Sequence, residues 1–364
     1  MSLSKISDAG VSIWLDDLSR ERLVTGGRAR HLSDLISKSH VVGVTTNPAI
    51  FSSAISGSAL YREDIIRFRK AGLDTEAIIT ELTCSDVKNA CELFRKTYEM
   101  SEGVDGRVSI EVDPRFARDT ASTVKQARAL WNKVDMPNLL IKVPATKEGL
   151  PAISQLIGEG ISVNVTIIFS VSRYKEVLES FISGLTDRAT SGLPTSGIHS
   201  VASFFVSRVD TEIDPQLKAL KLEAMLGKSA IANARLAYQH FSDIRNSPIW
   251  NELERNGAAL QRPLWASTGV KDPNYDPAMY VNELIAPHTV NTMPEATLEA
   301  AAASQNFKGN SITSNYVESE EILSNLGKVG IDMEKVADKL EEEGIDKFIK
   351  PWLSLISAVE KVGH

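Results

Sequence analysis

Short apolar runs, separated by longer helix-forming stretches, recur along the chain. Residues 11–17, 41–46, 107–113, 138–145, 163–170, 199–206, 263–268 and 286–292 each read as a strand. Between and after them, apolar positions fall at helical spacing over 20–39, 51–100, 119–133, 150–159, 172–189, 215–245 and 294–363. The 51–100 stretch is longer than one crossover helix and predicts two or three. Strand 138–145 carries Leu139, Leu140, Ile141 and Val143 almost without interruption, the pattern of a strand buried on both faces. Lys142 sits inside that run, where a solvated charge has no natural place. Two readings stand side by side: a lysine paired with an acid in the core, or an amine that burial makes reactive toward a carbonyl.

Eight strands alternating with helices, and no break in composition, predict a parallel α/β fold. The count fits a single (β/α)8 TIM barrel domain over 1–364, with additional helices around 52–105 and a helical C-terminal segment around 294–364. No Gly-x-Gly-x-x-Gly follows any strand, which argues against an open dinucleotide-binding sheet. Asp16, Asn47, Glu111, Lys142, Asn164, Thr166, Ser203 and Ser267 lie in or at the ends of predicted strands, which a barrel gathers at one mouth. Pro48 holds Asn47 out of helical conformation at a strand-to-loop corner. Period-two alternation places Glu111 with Asp113 on one face, and Asn164 with Thr166 and Ile168 on another.

Composition narrows the function. A hydrophobic share of 43% with 24% charged residues is that of a soluble globular chain. No apolar run approaches the roughly 18 residues of a membrane span. The opening ten residues lack the apolar core of a secretory signal, so the expected compartment is the cytoplasm. A net charge of −7 argues against nucleic-acid or anionic-membrane partners, while leaving room for a local phosphate pocket. Cys84 and Cys91, seven apart on one helix face, read as small buried hydrophobes. His199 and His288 read as packed strand residues, since neither has a second ligand at metal spacing. Trp14 and Phe205 read as core, and the acidic run 341–343 as a solvated face.

Several motifs then carry a family resemblance. Gly-Val-Thr-Thr-Asn-Pro-Ala-Ile-Phe (43–51), Val-Ser-Ile-Glu-Val-Asp (108–113), Leu-Ile-Lys-Val-Pro-Ala-Thr-x-Glu-Gly (140–149), Val-Asn-Val-Thr-Ile-Ile-Phe-Ser (163–170) and Trp-Ala-Ser-Thr-Gly-Val-Lys (265–271) resemble the signature strands of transaldolases, in order and over nearly the whole chain. The resemblance implies a class I, Schiff-base aldolase barrel that moves a dihydroxyacetone unit between sugar phosphates without metal or organic cofactor. It places the Schiff-base lysine at Lys142, the acid/base aspartate at Asp16 and not Asp17, and a water-holding pair at Glu111 and Thr166. Asn47, Asn164 and Ser203 match positions that bind the dihydroxyacetone hydroxyls, and Thr45 lines the same pocket. Arg208 matches a phosphate-binding arginine, whose planar fork suits phosphate oxygens. A second such arginine is absent; Ser267-Thr-Gly-Val-Lys271 stands there, and Lys271 is the expected substitute. Glu111, where a fructose-6-phosphate aldolase would carry glutamine, favours the transferase over that aldolase. The intact set Asp16, Glu111 and Lys142 speaks against a non-catalytic sugar-phosphate-binding barrel. The expected assembly is a monomer or a homodimer.

Overall fold

The computed structural model describes residues 2–362. Eight parallel strands close into a barrel in chain order: β1 (Val11–Leu15), β2 (Val41–Val44), β3 (Arg107–Glu111), β4 (Leu139–Pro144), β5 (Val163–Ile168), β6 (Ser200–Phe205), β7 (Gln261–Ala266) and β8 (Thr289–Met293), with β8 pairing back on β1. Every predicted strand is present, and the architecture is a (β/α)8 barrel with extra helices. Several strands stop one or two residues short of the predicted ends, although single ladder bonds carry on past them. Asp16 N donates to Met293 O at 2.9 Å and Thr45 N to Leu15 O at 2.9 Å, so both side chains are fixed at the rim.

Burial explains the apolar runs. All residues of β1, β4, β5, β6, β7 and β8 are buried, because helices cover the outer face while side chains fill the interior. Trp14 is fully buried against β2, where Gly43 leaves room for the indole: a Cβ there would stand 2.6 Å from Cε2 and Nε1. In β5 the register slips between Val165 and Ile168, and Ile167 takes φ +57. That one-residue bulge turns Ile168 out of phase with Asn164 and Thr166, so the expected three-residue face holds only the two polar groups.

The helices depart more from the pattern. Residues 20–39 form no continuous helix: a 3-10 turn (Arg20–Arg22) and a short helix (Leu32–Lys38) flank a loop through Gly26, φ +78, and Gly27. Two adjacent glycines are poor helix formers, and the arginines instead tie the loop down, Arg22 to Asp17 at 2.6 Å and Glu295 at 2.7 Å. The 51–100 region gives four helices, Pro48–Gly57, Arg62–Lys70, Thr75–Leu93 and Arg95–Met100. Ser58 and Asp74 cap the 3-10 turn and the helix that follow two of the breaks. Helix Ser207–Ala219 starts before Pro215 and runs through it, and a second helix, Ser229–Arg245, begins after a break. Asp214 and Asp210 stitch that break by accepting from Gly227 N and Ala230 N.

The C-terminal segment contains Glu295–Ala303, Tyr316–Lys328 and Met333–Glu360, and residue 363 of the predicted stretch lies outside the described residues. Within the last helix Glu341 is half-buried and paired with Arg173 at 3.6 Å, so 341–343 is not simply a solvated face. His288 is exposed in the turn before β8 rather than packed, and His199 is half-buried just ahead of β6. Cys84 and Cys91 are buried free thiols, as their spacing predicted.

Candidate active site

The C-terminal ends of the strands enclose a cavity of about 130 Å³, whose wall includes Asp16, Thr45, Asn47, Lys142, Thr166, Ser203, Arg208, Ser267 and Lys271. Larger hollows lie elsewhere on the surface, one of about 750 Å³ between 55–65 and 353–362, but none of them is lined by Lys142 or Asp16. Glu111 and Asn164 lie beside this wall and not on it. Asp17 points away, engaged by Arg22.

Lys142 is paired with an acid in the barrel interior, the first of the two sequence readings. It is 4% exposed, its Nζ donates to Thr46 O at 3.0 Å, and it stands 3.4 Å from Glu111 Oε2, its register partner on β3. It also opens on the cavity. Burial pushes the Glu111 carboxyl up to about 7, with the Lys142 charge opposing and Asp16 adding to the rise. Neither Glu111 oxygen has a well-aligned hydrogen-bond donor among the described residues. Thr166 Oγ1, from β5, is likewise buried and unpartnered.

Asp16 is also pushed up by burial, against the opposing Lys142 charge and a 2.7 Å hydrogen bond from Thr45 Oγ1. Thr45 Oγ1 lies 2.6 Å from Thr292 Oγ1 at the end of β8. A hydroxyl has one proton, so when Thr45 donates to the Asp16 carboxylate, Thr292 must donate to Thr45. Thr292 was not anticipated, although it ends a predicted strand like the others.

The amides take different places. Asn47 caps helix Pro48–Gly57, its Oδ1 accepting from Ile50 N at 3.0 Å, which leaves the Nδ2 donors uncommitted. Asn164 is held one layer down: Nδ2 donates to Ser109 Oγ at 3.0 Å and Oδ1 accepts from Ser203 Oγ at 2.7 Å. Arg208 lies over the Phe205 ring, 5.4 Å from its centroid, with Nη1 buried and unpartnered and no ion pair among the described residues. Burial lowers its proton affinity, with Glu343 opposing. Ser267, φ +54, places its hydroxyl 3.0 Å from Ser207 Oγ. Phe205 is both core and cavity wall. Phe348 reaches the same wall from the C-terminal helix, which no motif foretold. No group of three or more His, Cys, Asp and Glu side chains gathers as a metal-ligand set among the described residues.

Fold and mouth together define a (β/α)8-barrel enzyme with its polar groups gathered at the C-terminal ends of the strands. Comparison with known proteins narrows this. The family model described as Transaldolase/Fructose-6-phosphate aldolase matches residues 13–359. A protein named Transaldolase from Mycolicibacterium smegmatis is 52% identical over 362 residues, covering 99% of this chain and 96% of its own. Proteins of the same name from Thermobifida fusca and Acidothermus cellulolyticus are 49% and 50% identical, covering 98% and 99% of this chain and 97% and 96% of their own. The chain belongs to the transaldolase/fructose-6-phosphate aldolase family.

Proposed function

We propose that the chain is a transaldolase of the pentose phosphate pathway, moving a dihydroxyacetone unit from sedoheptulose 7-phosphate or fructose 6-phosphate to glyceraldehyde 3-phosphate or erythrose 4-phosphate. The observation that carries the mechanism is Lys142 Nζ on the cavity wall, 3.4 Å from Glu111, with Asp16 on the same wall. Arg208 and Lys271, both on the cavity wall, grip the substrate phosphate. The Lys142 amine attacks the donor ketone; the carbinolamine loses water and becomes an iminium. Glu111 and Thr166 hold the water that shuttles these protons, a role supported by their buried, unpartnered oxygens.

Asp16 takes the proton of the donor C4 hydroxyl as the neighbouring carbon–carbon bond breaks, and the iminium accepts the electron pair. The aldose phosphate leaves and the three-carbon enamine remains on Lys142. The acceptor aldehyde then reacts in the reverse sense, and Asp16 returns its proton. Asn47, Thr45 and Ser203 contact the dihydroxyacetone hydroxyls, with Asn164 acting through Ser203, whose hydroxyl donates to it at 2.7 Å. Ser267 orients the loop that carries Lys271.

The substrates are sugar phosphates, and no helix among the described residues is long and apolar enough to cross a membrane. We assign the working compartment as the cytoplasm, the chain as one catalytic barrel, and the assembly as monomer or homodimer without a nucleic-acid partner. The test of transfer against simple cleavage is product release from fructose 6-phosphate with and without erythrose 4-phosphate. A transaldolase turns over only with the acceptor; rapid cleavage without it would make the chain an aldolase.

A further inference from the structure

Phe348 belongs to a helix outside the barrel, yet its ring centroid lies 5.5 Å from Lys142 Nζ and the residue is 6% exposed. The helix is held in place over the mouth by polar ties along its first half. Ser172 donates to Glu334 at 2.6 Å, Lys339 to Glu212 at 2.8 Å, and Arg173 pairs with Glu341 at 3.6 Å. Past these ties, Gly344 rests over Ile167 and Phe169 at the end of β5, and the next turn delivers Phe348 to the lysine.

We propose that Phe348 determines the fate of the covalent intermediate, covering the Lys142 nitrogen so that the enamine passes to an aldose phosphate instead of being released as free dihydroxyacetone. This rests on the Schiff-base reading above. Once the donor bond has broken, two routes consume the enamine. In transfer, its nucleophilic carbon forms a bond to the acceptor carbonyl carbon, and the carbonyl oxygen takes the proton held by Asp16. In release, the same carbon takes that proton directly or through water and becomes the iminium of dihydroxyacetone. Water then adds to the iminium carbon, the carbon–nitrogen bond breaks, and the lysine amine is restored. Each route ends with hydrolysis that returns the one water lost when the Schiff base formed, so the routes differ in what reaches the enamine carbon.

A phenyl ring brings no proton donor to the enamine, while its negative face suits the iminium cation that both transfer steps require. Among the described residues, every other side chain on this wall comes from a barrel strand, from the loop after one or, for Arg208, from the first turn of helix Ser207–Ala219.

The test compares wild type with Phe348→Ala and Phe348→Leu in the full chain, each checked for folding by thermal melt. Two rates are measured: dihydroxyacetone release from fructose 6-phosphate alone, and transfer to erythrose 4-phosphate. Borohydride trapping on Lys142 is run in parallel. The ratio of release to transfer is expected to rise about tenfold in Phe348→Ala and less in Phe348→Leu, with the adduct still forming in both. If Phe348→Ala fails to fold, the rise in Phe348→Leu carries the test. An unchanged ratio in a folded variant that still forms the adduct would overturn this proposal alone. No adduct on wild-type Lys142 would overturn the Schiff-base reading and this proposal with it.

Discussion

Lys142 and Glu111 are register partners on adjacent strands, and their charged ends meet 3.4 Å apart in the barrel interior. Each is almost inaccessible, with side chains 6% and 3% exposed, so the pair cannot be dismissed as a solvated surface bridge. Among the described residues only the Lys142 ammonium, at 3.4 Å, favours its ionised form, so burial dominates and lifts Glu111 to about 7.

That elevation gives a pH signature. The folded chain holds the Glu111 proton between 4.5 and about 7, where the unfolded chain has lost it. Its contribution therefore favours the folded state fully below 4.5 and is lost as pH rises through about 7. In turnover, the ionised form is the water-activating one, so kcat should rise through an inflection near 7. In Glu111→Gln that inflection should vanish and kcat should fall by about 100-fold. A retained inflection in the variant would assign it to another group.

Arg208 is free for the phosphate that the proposed mechanism assigns to it. Its Nη1 is buried without a partner and it makes no ion pair among the described residues. Arg208→Ala should raise KM for phosphorylated substrates by about 10- to 100-fold, the loss of charge-assisted hydrogen bonds, with a smaller effect on kcat. Steady-state kinetics on fructose 6-phosphate against its unphosphorylated analogue checks this: the analogue should be indifferent to the substitution.

The barrel wall makes its own prediction. Gly43→Ala would put a Cβ 2.6 Å from the Trp14 indole, which is enclosed on all sides. Overpacking of this kind costs about 3 kcal/mol. Denaturant unfolding followed by tryptophan fluorescence should show the lowered midpoint; an unchanged midpoint would mean that β1 and β2 move apart freely.

How much of this was legible beforehand follows from what each element depends on. β4 announced itself because a strand buried on both faces leaves an apolar run, and Lys142 stood out against it. Asp16, Thr45 and Asn47 were readable because each follows the end of a strand, and Ser203 because it is a polar residue within one; closure of the barrel does the rest. The Ile167 bulge was hidden, since an extra residue in Ile-Ile changes phase without changing composition. The 20–39 stretch misled because its apolar spacing was helical while Gly26 and Gly27 broke the backbone. Phe348 could not be placed at all: its position depends on tertiary ties such as Arg173 to Glu341, which no local pattern encodes.

The opposite end of the barrel predicts acid sensitivity. His199 is pushed down to about 3, first by burial and then by the charges of Arg107 and Arg262. The unfolded chain binds its proton near 6.5, so stability is lost as pH falls from 6.5 toward 3. In His199→Gln this part of the decline should disappear, read as a flatter dependence of the urea midpoint on pH between 7 and 4. An identical slope in both proteins would remove His199 from the acid response.

The central claim is that Lys142 forms the covalent bond to substrate. Incubation with fructose 6-phosphate, reduction by borohydride and peptide mass mapping tests it directly. A reduced three-carbon or sugar adduct is expected on the peptide that carries Lys142, absent in Lys142→Ala, which should also lack turnover. An adduct on another lysine, or none on the folded wild-type protein, would contradict the account.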